Sequence, residues 1–219
     1  PDGRHIAYLT KRGADPARHL NFDIYLVEPR AGAEERRLTR FAGADNDPEW
    51  ESRLAWSPDG RRIAHLQGGE DKWIYYAPLQ LAVTEVATGE TVLPGPADRW
   101  CGKPRWSKDG RSLYVLVERS RVTHLSRVSL PDGRLTGLTS GPRVDADFAV
   151  AGDRVVVLGG DDGHPPELAA LEPRALRSLA AHNEWLKAKR LAPVEDVTFR
   201  SADGTSIDGL LVKPLDYVP

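Results

Sequence analysis

One phrase recurs along this chain and limits what it can fold into. "SPDGRRIAHL" runs from Ser57 to Leu66, and "SKDGRSLYVL" runs from Ser107 to Leu116. "PDGRHIAYL" opens the chain at Pro1, and "FAVAGDRVVVL" at Phe148–Leu158 is a degenerate fourth copy. The turn glycines Gly3, Gly60, Gly110 and Gly152 are 57, 50 and 42 residues apart. Periods near 40–50 residues mark repeat architectures in which each unit buries its apolar face against the next.

Every unit has the same internal order. A short strand ends in an aromatic residue: Leu54-Ala55-Trp56, then Pro104-Arg105-Trp106, then Asp147-Phe148. A tight turn follows. In Ser57-Pro58-Asp59-Gly60, proline presets φ for the first corner of a type I turn, and glycine takes the left-handed position that closes it. Next comes an alternating strand, marked by Ile6/Tyr8, Ile63/His65, Leu113/Val115 and Val155/Val157. Two further strands complete the unit, the last of them short. Four antiparallel strands per unit, repeated, predict the blades of a β-propeller. Trp56 and Trp106 sit at equal register before the turn, where large aromatics fill the space between neighbouring blades. Pro131-Asp132-Gly133 also spells the turn, but at a different corner, so the triplet alone is a weak signal.

The expectation is an all-β fold: a partial β-propeller over residues 1–182, with blades near 1–41, 52–94, 103–140 and 144–181. The first blade lacks its first strand, so the piece is an open arc whose exposed flanks offer a route to a homodimer. The pattern breaks near residue 183. "AHNEWLKAKRL" reads as a linker over 183–193, with Asn183 as a helix cap. Residues 194–219 then read as a hairpin of another kind, with strands around Val197/Phe199 and Ile207–Val212 joined at Ala202-Asp203-Gly204.

Bulk properties exclude several functions. The 219 residues carry a formal charge of −2, without the basic surface a nucleic-acid binder needs. No apolar run approaches the roughly 20 residues of a membrane helix. Cys101 is the only cysteine, so no internal disulfide forms, which mildly favours a cytoplasmic location. The chain has no methionine and starts inside a repeat unit, so the expectation is a piece of something longer.

The tail phrase "FRSADGTSIDGLLVKPLDYVP" resembles the passage from propeller to catalytic domain in the prolyl oligopeptidase family of serine peptidases. Phe199, Ser201, Asp203, Gly204, Ile207, Gly209, Lys213, Pro214, Tyr217 and Pro219 carry that resemblance. "LAWSPDGRRIA", "PRWSKDGRSLYVLVE" and "AHNEW" are similar to stretches of acylaminoacyl-peptidase and dipeptidyl-peptidase-like members. The resemblance implies that 194–219 is the first hairpin of an α/β-hydrolase domain whose Ser-Asp-His triad lies beyond residue 219. It also implies peptide substrates for the parent protein and makes that domain the chain's partner.

No G-x-S-x-G elbow occurs here. Ser206 sits inside a hairpin rather than on a strand-turn-helix, so the chain alone is expected to be inactive. No histidine pair has metal-ligand spacing, and no metal or cofactor is expected. One constellation remains. Trp50 and Trp100 each lie six residues before a repeat tryptophan, in segments entering a blade's first strand. With Arg53 and Arg105 they are candidates for the wall of a substrate chamber. The competing reading is blade–blade packing under a solvated charged rim. A TolB-like propeller that binds a protein partner without catalysis is the alternative for the whole chain; it accounts for the blades but not for the tail.

Overall fold

A computed structural model describes residues 2–73, 76–130, 132–173 and 175–218. Pro1, Pro131 and Pro219 of the motifs above lie outside the described residues.

The fold is all-β and built from consecutive blades. Strands β1 (Ile6–Thr10), β2 (Asp23–Val27) and β3 (Arg36–Arg37) form a three-stranded antiparallel sheet. The second blade contains β4 (Gly43–Asp45), β5 (Ala55–Trp56), β6 (Arg62–Glu70), β7 (Gln80–Glu85) and β8 (Thr91–Val92). The third contains β9 (Cys101–Trp106), β10 (Ser112–Arg119), β11 (Val122–Ser129) and β12 (Leu135–Gly137). The fourth contains β13 (Val144–Ala151), β14 (Arg154–Asp161), β15 (His164–Glu172) and β16 (Ala175–Ser178). A parallel bridge, Thr123↔Val144, joins the third and fourth blades. The tail hairpin, β17 (Val194–Arg200) with β18 (Ser206–Val212), pairs only with itself.

The repeat turn is a closed hydrogen-bond unit. Ser57 Oγ donates to Asp59 Oδ1 at 2.6 Å and accepts the Arg62 N–H at 2.9 Å. Asp59 also accepts the Arg61 N–H at 3.1 Å, and Gly60 holds φ at 70°. Ser107, Asp109 and Gly110 repeat this geometry, with Ser107 Oγ to Asp109 at 2.7 Å. The serine hydroxyls hold both aspartates below the usual carboxylate range. The same Ser-x-Asp-Gly turn closes the tail hairpin at Ser201, where Asp203 is held down to about 2.

The core is a series of clusters between blades. Trp56 packs with Ile24, Leu26, Leu38 and Ile63, where the first blade meets the second. Trp106 packs with Ala64, Leu66, Leu81 and Val83 of the second blade and Leu113, Val115 and Val117 of the third. Phe148 fills the same role beside Leu116, Leu125, Val155 and Val157. Cys101 lies in the second of these clusters, and burial pushes its thiol up to about 11.

Two details depart from the sequence reading. The second blade's first strand begins at Gly43, not near Leu54: β4 and β5 both pair with β6, and residues 46–54 loop out between them. Asn183 makes no side-chain cap. Its backbone N–H and its amide both donate to Glu167 Oε1, at 2.8 and 3.1 Å, and so anchor the linker to β15.

His65 is fully buried on β6, with Nε2 2.9 Å from Thr84 Oγ1 and Nδ1 3.1 Å from the Leu66 carbonyl. Burial holds its pKa below the ordinary value, against a smaller opposing pull from Asp45. An unfolded histidine titrates near 6.5, so below that pH the unfolded chain binds a proton that folded His65 refuses. Stability therefore falls with falling pH in that window, by at most about 1.4 kcal/mol per pH unit for this group. Urea unfolding at neutral and mildly acid pH, compared between wild type and His65→Leu, isolates the effect: the slope shrinks in the variant.

Candidate functional site

The loop between β4 and β5 of the second blade, β9 of the third and β13 of the fourth line one groove of about 530 Å³. Glu51, Ser52 and Arg53 reach it from the second blade, Lys103 and Arg105 from the third, and Asp147 from the fourth. Lys103 is the tie between blades. Its Nζ lies 3.3 Å from Asp147, 3.8 Å from Glu51, and 3.1 Å from the Ala146 carbonyl. Its backbone is left-handed, with φ at 52°, a conformation that costs a non-glycine residue energy and clusters at functional sites. In a propeller, first strands line the ring axis.

The four residues singled out from the sequence divide into pairs. Arg53 and Arg105 both line the groove. Arg105 Nη1 donates to the Pro104 carbonyl at 2.9 Å, which orients the guanidinium. Trp50 ends a one-turn helix at Pro48–Trp50, started by Asp47 Oδ1 accepting the Glu49 N–H at 2.8 Å. Its ring lies on Gly68, and it packs against the cluster around Trp106. Trp100 precedes β9 and is 44% exposed. The shared six-residue offset thus does not give the two tryptophans equivalent surroundings. The helical turn and left-handed Glu51 (φ 50°) belong to the loop between β4 and β5, whereas β9 is one strand with a bulge at Lys103. Spacing alone does not bring Lys103 and Asp147 together, because their ion pair joins one blade to the next.

Elsewhere, Ser206 opens β18 opposite Arg200 and is exposed. Among the described residues, no three His, Cys, Asp or Glu side chains gather around one point as metal ligands. A second groove, about 500 Å³, separates the β10–β11 tip from the tail hairpin. Arg121 spans it, pairing with Asp162 at 2.9 Å and with Asp196 on β17.

The fold defines the class, an all-β propeller of consecutive antiparallel blades. No family model matches the chain. Over 99% of its length it is 28% identical to dipeptidyl-peptidase 5 of Porphyromonas gingivalis, covering 32% of that protein. Among solved structures, Pyrococcus horikoshii acylaminoacyl peptidase superposes with a TM-score of 0.74 at 20% identity, over 97% of this chain and 32% of that one. A putative TolB from Agrobacterium tumefaciens gives 0.60 at 19% identity, over 98% and 73%. The chain spans about a third of the length of the curated peptidase it matches from end to end. These findings bear out the resemblance read from the tail and the blades: the chain is similar to the propeller portion of prolyl oligopeptidase family peptidases.

Proposed function

We propose that this chain is the non-catalytic propeller portion of a prolyl oligopeptidase family serine peptidase. In this reading it limits access of short peptides to a catalytic α/β-hydrolase domain that follows residue 219. The supporting observation is the groove where three blades meet. Lys103 is neutralised there by Glu51 and Asp147. Arg53 and Arg105 are left to meet a peptide passing along the axis, with Trp50 bracing the loop that carries Arg53 and exposed Trp100 at the approach to β9.

The likeness to dipeptidyl-peptidase 5 along nearly the whole chain, tail hairpin included, favours this reading over a TolB-like scaffold. The coding sequence downstream of residue 219 discriminates between them. The peptidase reading requires G-x-S-x-G followed by Asp and His in that order.

The chamber itself is tested in the full-length protein. Replacing Arg53 and Arg105 by alanine is expected to raise KM for short peptides about tenfold, the equivalent of one charge-assisted hydrogen bond, with kcat retained. Trp50→Ala/Trp100→Ala is expected to change the preference for peptide length. Unchanged KM across a peptide series in both variants, with the fold intact by circular dichroism, removes the chamber role.

A further inference from the structure

Four buried side-chain oxygens of the described residues have no hydrogen-bond partner: Asn21 Oδ1, Asp23 Oδ1, Asp45 Oδ2 and Ser52 Oγ. Buried orphans of this kind call for a specific explanation, an ordered water or a bound ion among them. Asn21, Asp23 and Asp45 belong to the junction of the first and second blades, and Ser52 lies in the loop between β4 and β5. The Asp45 N–H donates to the Phe22 carbonyl at 2.8 Å, which sets Asp45 beside Asp23. Asn21 lies two residues ahead of Asp23, in a turn closed by the Phe22 N–H on the Leu20 carbonyl at 2.9 Å at the entry to β2. Asn46, next to Asp45, donates from Nδ2 to the Ser52 carbonyl at 3.0 Å and draws that residue in.

The junction of the third and fourth blades provides an internal control. There Leu125 N–H donates to Thr139 Oγ1 at 2.9 Å, as Ile24 N–H does to Thr39 Oγ1 at 2.9 Å. Asp145 follows Thr139 by six residues, as Asp45 follows Thr39. Asp145 is fully satisfied: Oδ1 accepts Arg143 Nε at 2.7 Å, and Oδ2 accepts the Leu125 N–H at 3.0 Å together with the Thr139 hydroxyl. At the earlier junction Gly43 stands where Arg143 stands, and a Cβ there would overlap the Gly69 carbonyl. Asp23 stands where His124 stands, the latter engaged with the Gly141 carbonyl at 2.8 Å. The earlier junction carries one more carboxylate, and its guanidinium, Arg37, sits on Asp23 and not on Asp45.

What faces the two carboxylates does not balance them. Arg37 Nη2 holds Asp23 Oδ2 at 2.7 Å, and Gln67 Nε2 holds Asp45 Oδ1 at 2.9 Å. Arg40 acts on Asp23 only as a more distant charge. His65, near Asp45, is buried with Nδ1 against the Leu66 carbonyl. The bonded oxygens fix both carboxylates, leaving Asp23 Oδ1 and Asp45 Oδ2 as free acceptors on residues 3% and 0% exposed.

We propose that the junction of the first two blades binds a hard divalent cation of the Ca²⁺ type. Asp23 and Asp45 supply the charge, Asn21 Oδ1 supplies a neutral oxygen, and water completes the shell. Calcium takes six to eight oxygens of mixed carboxylate, amide and solvent origin, and shared sites of this kind need no sequence spacing. A proton shared by the two carboxylates would leave the Asn21 oxygen unanswered. The ligands come from two blades, so a search for regular ligand spacing passes over them.

The test uses the 219-residue chain stripped with EDTA. Ca²⁺ titrated by calorimetry is expected to give one saturable site and a rise in Tm, with Mg²⁺ weaker. Tb³⁺ is expected to bind with aromatic-sensitised luminescence that Ca²⁺ displaces. Asp23→Asn is expected to weaken binding at least tenfold. Should Asp45→Asn not fold, Asn21→Ala at the edge of the site is the second variant, with binding weakened and fold kept. No saturable heat and no Tm change at low-millimolar Ca²⁺ overturns the proposal. So does binding that is unchanged in both Asp23→Asn and Asn21→Ala.

Discussion

Trp106→Ala is expected to lower the unfolding free energy by about 3–5 kcal/mol, the range for truncating a buried tryptophan. The ring is 9% exposed and packed between the second and third blades. Its Nε1–H donates to the Ala55 carbonyl at 2.8 Å, a bond from one blade to the backbone of the next. The Arg62 guanidinium lies 4.7 Å from the ring centroid, and its Nη2 donates to the Gly110 carbonyl at 2.9 Å. Truncation removes the ring, strands the Ala55 carbonyl, and takes away the face on which Arg62 rests. Against the total stability of about 5–15 kcal/mol typical of a domain, this loss is large. Trp106→Phe keeps most of the volume and is expected to lose much less. Urea denaturation followed by circular dichroism measures both. A loss under about 1 kcal/mol for alanine would show that the blades do not depend on this contact.

Arg143→Ala is the second large effect, expected at about 3–5 kcal/mol. Asp145 has a side chain with no exposure, and among the described residues Arg143 supplies its only charged partner in hydrogen-bond contact. Removing the guanidinium leaves a buried carboxylate with neutral donors alone, and the penalty comes from that uncompensated charge. Arg143→Lys should recover part of the loss, because an ammonium restores the charge without the planar fork. The two predictions separate by chemistry. The tryptophan loss tracks buried area and the arginine loss tracks charge, so only the second is reduced by Asp145→Asn in the double variant. Additivity of Arg143→Ala and Asp145→Asn would contradict the pairing.

The repeat turn was legible because it is a local object. In Ser57-Pro58-Asp59-Gly60 the hydroxyl, the carboxylate and the left-handed glycine all act within six residues, and sequence order gives their arrangement. The alternating strands and Trp56 and Trp106 were legible for a related reason. A residue locked to the repeat faces the same neighbour in every blade. The tail was recognisable as a change of pattern, and its Ser201-x-Asp203-Gly204 turn reuses the same chemistry in a separate hairpin.

The groove was half legible. Arg53 and Arg105 were found, but on the strength of their neighbours Trp50 and Trp100, which the structure places in unlike surroundings. The loop between β4 and β5 explains the difference. Asn46 and Glu51 adopt positive φ, at 71° and 50°; asparagine favours that region, but glutamate gives no sign of it in the sequence. Gly43–Asp45 joins the second blade across that loop, so strand membership depends on pairing with β6 and not on continuity of chain.

By itself, then, the sequence determined the blades, their turns and the aromatic wedges between them, since those follow from short-range geometry repeated at a fixed period. The tertiary structure alone decided which charges meet: Lys103 with Asp147 and Glu51, Arg143 with Asp145, and Asp23 beside Asp45. Side-chain charge acts through space over a few ångströms, and the packing of one blade against the next, not distance along the chain, sets those separations.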